Sequence, residues 1–199
     1  MRPTTTALLL TLPLSACAED LGDALGDDDS GGDGEGGSQV ENVPEGRVVR
    51  TTVDATDAMR WIWFDFQTRA QVDVADPLHS EAWDLGFSRY SIAINGGVSG
   101  EGGMEAVVLE DTTLDAVTAV PEGPWITDAA DSDDQGDDPD YALAGWYDYD
   151  FATHMLSARP TVYVVRSVEG EPYALSVVDY YDEAGSSGWM QLRWKPLAD

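Results

Sequence analysis

The stretch Trp83-Asp84-Leu85-Gly86-Phe87-Ser88-Arg89-Tyr90-Ser91-Ile92-Ala93-Ile94-Asn95-Gly96-Gly97 carries the strongest strand signal in the chain and decides its fold class. Its apolar residues first occupy odd positions (Trp83, Leu85, Phe87) and then even ones (Tyr90, Ile92, Ile94). Strand side chains alternate faces with period two, so the change of parity predicts an extra residue or a sharp twist near Ser88 and Arg89. Asn95-Gly96-Gly97, residue types that tolerate positive φ, ends the run. The stretch therefore reads as a bulged central strand that releases the chain toward Met104.

The flanking segments carry the same signature. Val48, Val49 and Val53 predict one strand, and Trp61-Ile62-Trp63-Phe64-Asp65-Phe66 predicts another that is apolar on both faces. Met104 to Leu109 reads as a short strand after the glycine-rich Gly96 to Gly103. Later, Thr161 to Ser167, Tyr173 to Tyr181 and Trp189 to Lys195 form strand-like runs joined by linkers short enough for hairpins. In the last run Met190, Leu192 and Trp194 share one face, while Gln191, Arg193 and Lys195 share the other. That alternation belongs to an antiparallel sheet with one wet face. No segment holds an amphipathic helical period beyond two turns, so the expected fold is all-β with antiparallel sheets and long irregular loops.

Between these blocks, Asp111 to Ala144 is irregular, with Pro121, Gly123, Pro124 and Pro139 as punctuation and seven aspartates from Asp128 to Asp140. It reads as a long acidic excursion from the sheet. Asp131-Ser132-Asp133-Asp134-Gln135-Gly136 imitates the opening of an EF-hand loop, but Ala142 stands where the twelfth-position Glu belongs. A solvated loop is the reading adopted over a calcium site.

The N-terminus is organised differently. Arg2, the apolar run Ala7 to Leu14 and Ser15-Ala16-Cys17 have the layout of a secretory signal peptide, residues 1–17. Leu14-Ser15-Ala16-Cys17 resembles a bacterial lipobox, which would make Cys17 a lipidated N-terminus and membrane anchor. Because Cys17 is the only cysteine, no intrachain disulfide is available and packing alone holds the fold. Residues 18–46 contain ten acidic residues, many glycines and no cation, the composition of a disordered tether. Residues 47–199 then form the folded domain.

The formal charge is −28, from 10 basic and 38 acidic residues, and removal of Arg2 makes it −29. Nucleic acid is excluded as a partner on this ground, since its binding depends on neutralising phosphates with Lys and Arg. Catalytic motifs are also missing. There is no Gly-x-Ser-x-Gly elbow, and His79 and His154, the only histidines, lack the paired spacing of a zinc site. The chain is read as a non-enzyme. Haem asks for less: one or two axial ligands and apolar or aromatic surface for the ring. His154 follows the aromatic cluster Trp146, Tyr147, Tyr149 and Phe151, and Met104 follows a glycine-rich segment. Both are candidate ligands, although a strand-opening Met serves a core equally well and a His among rings serves equally well as a structural hydrogen-bonding group. His79 beside Pro77 reads as a turn residue.

Trp83-Asp84-Leu85-Gly86-Phe87, Asn95-Gly96-Gly97, Gly145-Trp146-Tyr147, Val162-Tyr163-Val164-Val165-Arg166 and Tyr180-Tyr181-Asp182 to Gly188-Trp189 together resemble the HmuY family of exported haem-binding lipoproteins. The likeness spans about Arg47 to Leu197 and includes the upstream lipobox. It implies an all-β fold likened to a right hand, with haem gripped by loops at one end. It also implies a haemophore anchored at the bacterial outer membrane or cell surface that passes haem to a TonB-dependent receptor. Family members ligate haem by two histidines or by methionine. Here the acidic excursion contains neither residue type. The expected cofactor site is therefore His154 with a methionine, Met104 or Met155. The competing expectation is a surface lipoprotein that keeps the fold as an interaction module for a protein or glycan and binds no haem.

Overall fold

The computed structural model describes residues 37–132 and 138–198. The signal segment, Cys17 with its lipobox, the tether through Gly36 and the centre of the Asp131 loop lie outside the described residues. Twelve strands run in order: β1 (Val40–Glu45), β2 (Val48–Asp54), β3 (Ile62–Asp65), β4 (Ala70–Val72), β5 (Leu85–Ser88), β6 (Ser91–Ile94), β7 (Glu105–Leu109), β8 (Tyr147–Asp150), β9 (Met155–Ala158), β10 (Val162–Arg166), β11 (Pro172–Tyr181) and β12 (Ser187–Pro196). Two short 3-10 turns, Leu114–Ala116 and Ala144–Trp146, are the helical elements among the described residues. None of those residues forms a helix long and apolar enough to cross a membrane.

The strands make a six-stranded sheet, β1-β2-β12-β11-β10-β7, a four-stranded sheet, β4-β3-β5-β6, and the separate hairpin β8-β9. Every pairing is antiparallel. The expected all-β class is the observed one. β12 shows why: Met190, Leu192 and Trp194 are buried while Gln191, Arg193 and Lys195 are only partly covered. Val49, Val53, Leu175, Leu192 and Trp194 of the larger sheet meet Phe64, Leu85, Phe87 and Ile94 of the smaller one in a single core. β10 is buried on both faces because the acidic excursion crosses back over the larger sheet, where Leu114 and Val117 cover Val162, Val164 and Ala174. The excursion also closes the β7 edge, with Ala106 and Ile126 exchanging backbone hydrogen bonds of 2.8 Å each. A covered edge cannot recruit a further strand.

Two local expectations differ from the structure. The domain begins earlier than Arg47: β1 lies inside the stretch assigned to the tether, pairing along its whole length with β2. Its Pro44 and three acidic or amide side chains look like linker, yet Pro is compatible with an edge strand, which is where β1 sits. Trp83 to Gly97 is a hairpin and not one bulged strand. Ser88 pairs with Ser91 across an Arg89-Tyr90 turn, with Arg89 at φ 51°. Directly opposed residues of a hairpin share a face. Leu85 therefore meets Ile94 and Phe87 meets Ile92, which places odd positions of one strand and even positions of the next in the same core. Met104, left open between core and ligand roles by its sequence context, is a core residue with 1 % of its surface exposed, its amide bonded to the Asn95 carbonyl.

Asn95 and Asp84 hold this hairpin in place. The buried Asn95 side chain donates to the carbonyls of Ser80 and Trp83 and accepts from the Gly102 amide. The Asp84 carboxylate accepts the amides of Phe66 at 2.8 Å and Val168 at 2.9 Å, tying the smaller sheet to the β10–β11 turn. Burial is the main force that pushes this carboxyl up to about 7.

Candidate functional site

β12 begins and β11 ends at one extremity of the larger sheet. The β8-β9 hairpin projects there, beside the Arg89-Tyr90 turn, and a cleft of about 640 Å³ opens between the three elements. That volume lies within the roughly 300–1,000 Å³ of small-molecule sites. His154 and Met155 line it together with Arg89, Tyr90, Tyr149 and Tyr180.

The loop that presents His154 is set by Asp150. Its carboxylate accepts the Ala152 amide and the Thr153 hydroxyl, both at 2.8 Å, and its carbonyl accepts the His154 amide. This folds four residues between Asp150 and Met155, which pair as the last rung of the hairpin. His154 closes the loop at φ 58°, a left-handed conformation uncommon for a residue with a Cβ. Its Nδ1 is 2.5 Å from the Tyr149 hydroxyl. When Nδ1–H donates to that oxygen, the Nε2 lone pair is left to bind a metal.

Two bonds tie the hairpin to the body. The indole of the buried Trp146 donates to the Tyr90 carbonyl at 3.0 Å, and the Tyr181 hydroxyl accepts the Leu156 amide at 2.8 Å. Tyr90 and Tyr147 meet edge to face at 6.0 Å, as do Tyr149 and Phe151 at 4.9 Å. Burial raises the phenol pKa values of Tyr147 and Tyr180, so both stay neutral donors at physiological pH. Phe151, at the tip, is 82 % exposed.

Arg89 is the cation in this cleft. Its guanidinium donates to the Thr56 carbonyl at 3.0 Å and the Ser187 hydroxyl at 2.9 Å, and lies 5.9 Å from the Tyr180 ring centroid. Arg159, the other cation near this segment in sequence, is ion-paired to Asp148 at 2.5 Å.

The structure thus brings His154 and Met155 to one cleft and leaves Met104 out of it. Met104 is buried in the sheet-to-sheet core and is not among the residues that line this cleft. His79 lies in a turn outside the cleft, bonded to Asp76 at 2.9 Å. Tyr90, Tyr180 and Tyr181 have no sequence signal pointing to the site, because each comes from a scaffold strand or turn remote from His154 in the chain.

Residues 57–194 match the HmuY protein family. No curated protein sequence matches the chain. Among solved structures, an apo HmuY analog from Tannerella forsythia has 16 % identity and a TM-score of 0.60, covering 80 % of this chain and 98 % of its own. A lipoprotein from Bacteroides fragilis has 19 % identity and a TM-score of 0.59, covering 79 % and 94 %. A HmuY-like heme binding protein from Bacteroides vulgatus has 24 % identity and a TM-score of 0.53, covering 75 % and 91 %. At these identities the likeness establishes a common fold. Taken with the match over residues 57–194, it places the chain in the HmuY family.

Proposed function

We propose that the chain is an exported haem-binding lipoprotein without catalytic activity, tethered by a lipid at Cys17 and passing haem to a TonB-dependent outer-membrane receptor. One observation carries the haem reading: His154 faces a cleft of haem-compatible size while its Nδ1 is engaged by Tyr149. The heme-binding description of the Bacteroides vulgatus relative supports the same choice of ligand.

The donor set fits a porphyrin. His154 supplies an imidazole nitrogen and Met155 a thioether, both ordinary haem ligands. Tyrosine rings supply apolar faces with polar edges, and Arg89 supplies a fixed fork for a propionate carboxylate. A bound haem would supply an iron able to accept such a donor. His154 and Met155 are consecutive, with Cα atoms about 3.8 Å apart, so both would approach a bound haem from the same edge of the cleft. His154 is the ligand assigned to iron, and Met155 is the alternative donor at the same edge. Tyr149 orients the imidazole, and the Asp150 loop fixes where it stands.

Titration of the chain with haemin tests this reading. A saturable Soret shift at one haemin per chain is expected. No spectral change at micromolar haemin would instead favour the interaction module, with the exposed Phe151 as its contact residue.

A further inference from the structure

A second cleft, of about 600 Å³, lies at the opposite end of β12. It opens between the β1-β2 turn, the β3-β4 turn and residues 195–198, about 26 Å along β12 from Ser187. Three cations line it: Arg47, Arg69 and Lys195. No Asp or Glu is among its described lining residues, in a chain with 38 of them.

The other charges at this end sharpen the contrast. Glu45 is the adjoining acid, and its two oxygens are taken by Arg50 at 2.8 Å and Arg193 at 3.1 Å. Those arginines hold its carboxyl below the usual range. Arg159 and Arg166 elsewhere are likewise ion-paired, to Asp148 and Glu105. Arg47, Arg69 and Lys195, which line the cleft, form no ion pair with any described carboxylate. Arg69 is also positioned: its carbonyl accepts the Asn42 amide group at 2.8 Å, its φ is 56°, and its guanidinium lies 5.7 Å from the Trp194 ring centroid. Val49, Val117 and Leu197 give the same cleft an apolar floor.

A chain of charge −28 repels anions at a distance, so three cations lining one cleft with no acid among its described lining residues are a local concentration of positive charge. Guanidinium forks and an ammonium suit a group with several anionic oxygens better than a single carboxylate. We propose that this cleft binds a phosphate-bearing amphiphile, with its phosphate on Arg47, Arg69 and Lys195 and its apolar part against Val49, Val117 and Leu197. The site is independent of the haem reading.

The test is calorimetric titration of the full chain with dihexanoyl phosphatidate, inorganic phosphate and hexanoate. Phosphatidate binds saturably at one per chain, and the double variant Arg69→Gln/Lys195→Gln weakens it tenfold or more. Arg47→Gln weakens it less, while Arg166→Gln and His154→Ala leave it unchanged. Hexanoate binding as tightly as phosphatidate would overturn the phosphate assignment. Inorganic phosphate matching phosphatidate would overturn the amphiphile. Equal loss in Arg166→Gln, or no saturable binding, would overturn the site itself.

Discussion

At the scale of single residues, Asp84 and His154 show how environment assigns a role that residue type leaves open. Burial raises the Asp84 carboxyl to about 7 from the ordinary 3.8, and the nearby Glu169 and Asp65 carboxylates push in the same direction. The folded state then holds the proton more tightly than the unfolded chain, so this contribution to stability is greatest at or below about pH 4 and is lost as pH rises toward 7, by about 4 kcal/mol at most. Asp150 and Asp182, held low by backbone amides, act in the opposite sense, so Asp84 is isolated by difference. Asp84→Asn leaves one of two buried amides without its acceptor and costs about 1–3 kcal/mol. Urea denaturation from pH 4 to 8 should show wild-type stability declining relative to this variant as pH rises, and a constant difference between the two would refute the assignment. For His154 the neighbour that matters is Tyr149. Tyr149→Phe removes the bond to Nδ1 and should weaken haemin binding about tenfold with the fold intact, as loss of a partner behind a metal ligand does. The sequence marks His154 as a ligand candidate and offers Met104 as another beside it. Both residue types serve cores and sites, and only burial separates the two positions.

At the scale of elements, legibility tracks the number of faces a strand buries. β12 alternates cleanly because one face is wet, and β10 reads as a strand because its valines are covered on both sides. The β5-β6 hairpin reads in sequence as one strand because Arg89-Tyr90 contains no glycine, asparagine or proline to announce a two-residue turn. β1 is hidden by its resemblance to the acidic segment before it. The segment after the β5-β6 hairpin is more tightly specified than its sequence suggests. Gly97 has φ 64°, and a Cβ there would collide with the Asp128 backbone carbonyl oxygen. The Asp128 carboxylate also accepts the amides of Ile94 and Ala142, so the backbone cannot withdraw cheaply. Gly97→Ala should destabilise the domain by about 2–4 kcal/mol, from overpacking and left-handed strain together. A shift in the urea midpoint measures it. Tyr181→Phe, which removes the acceptor for the Leu156 amide, should speed hydrogen exchange at that amide while leaving the β10-β11 amides protected. Uniform acceleration would mean the hairpin is not a separately anchored element.

At the scale of the whole molecule, two packed sheets form a rigid frame, and both clefts lie where the frame ends. The cleft that holds His154 is assembled from the β8-β9 hairpin, the Arg89-Tyr90 turn and the close of β11, elements far apart in sequence that the antiparallel topology brings together. That is why the ligand-capable residues of the sequence contain the site without locating it. The high negative charge opposes both compaction and the approach of anionic haemin, and salt screens both effects over about 10 Å. Raising ionic strength from about 10 to about 100 mM should therefore increase stability and accelerate haemin association in stopped flow, whereas slower association would indicate an attractive field at the cleft. The central claim, that His154 ligates haem in the tyrosine-lined cleft, is tested most directly by visible absorption spectra of equimolar haemin with the wild-type chain and with His154→Ala, the fold of each being checked by circular dichroism. The account predicts a shifted Soret band for the wild type that reverts toward free haemin in the variant. An identical shifted band in both would contradict it.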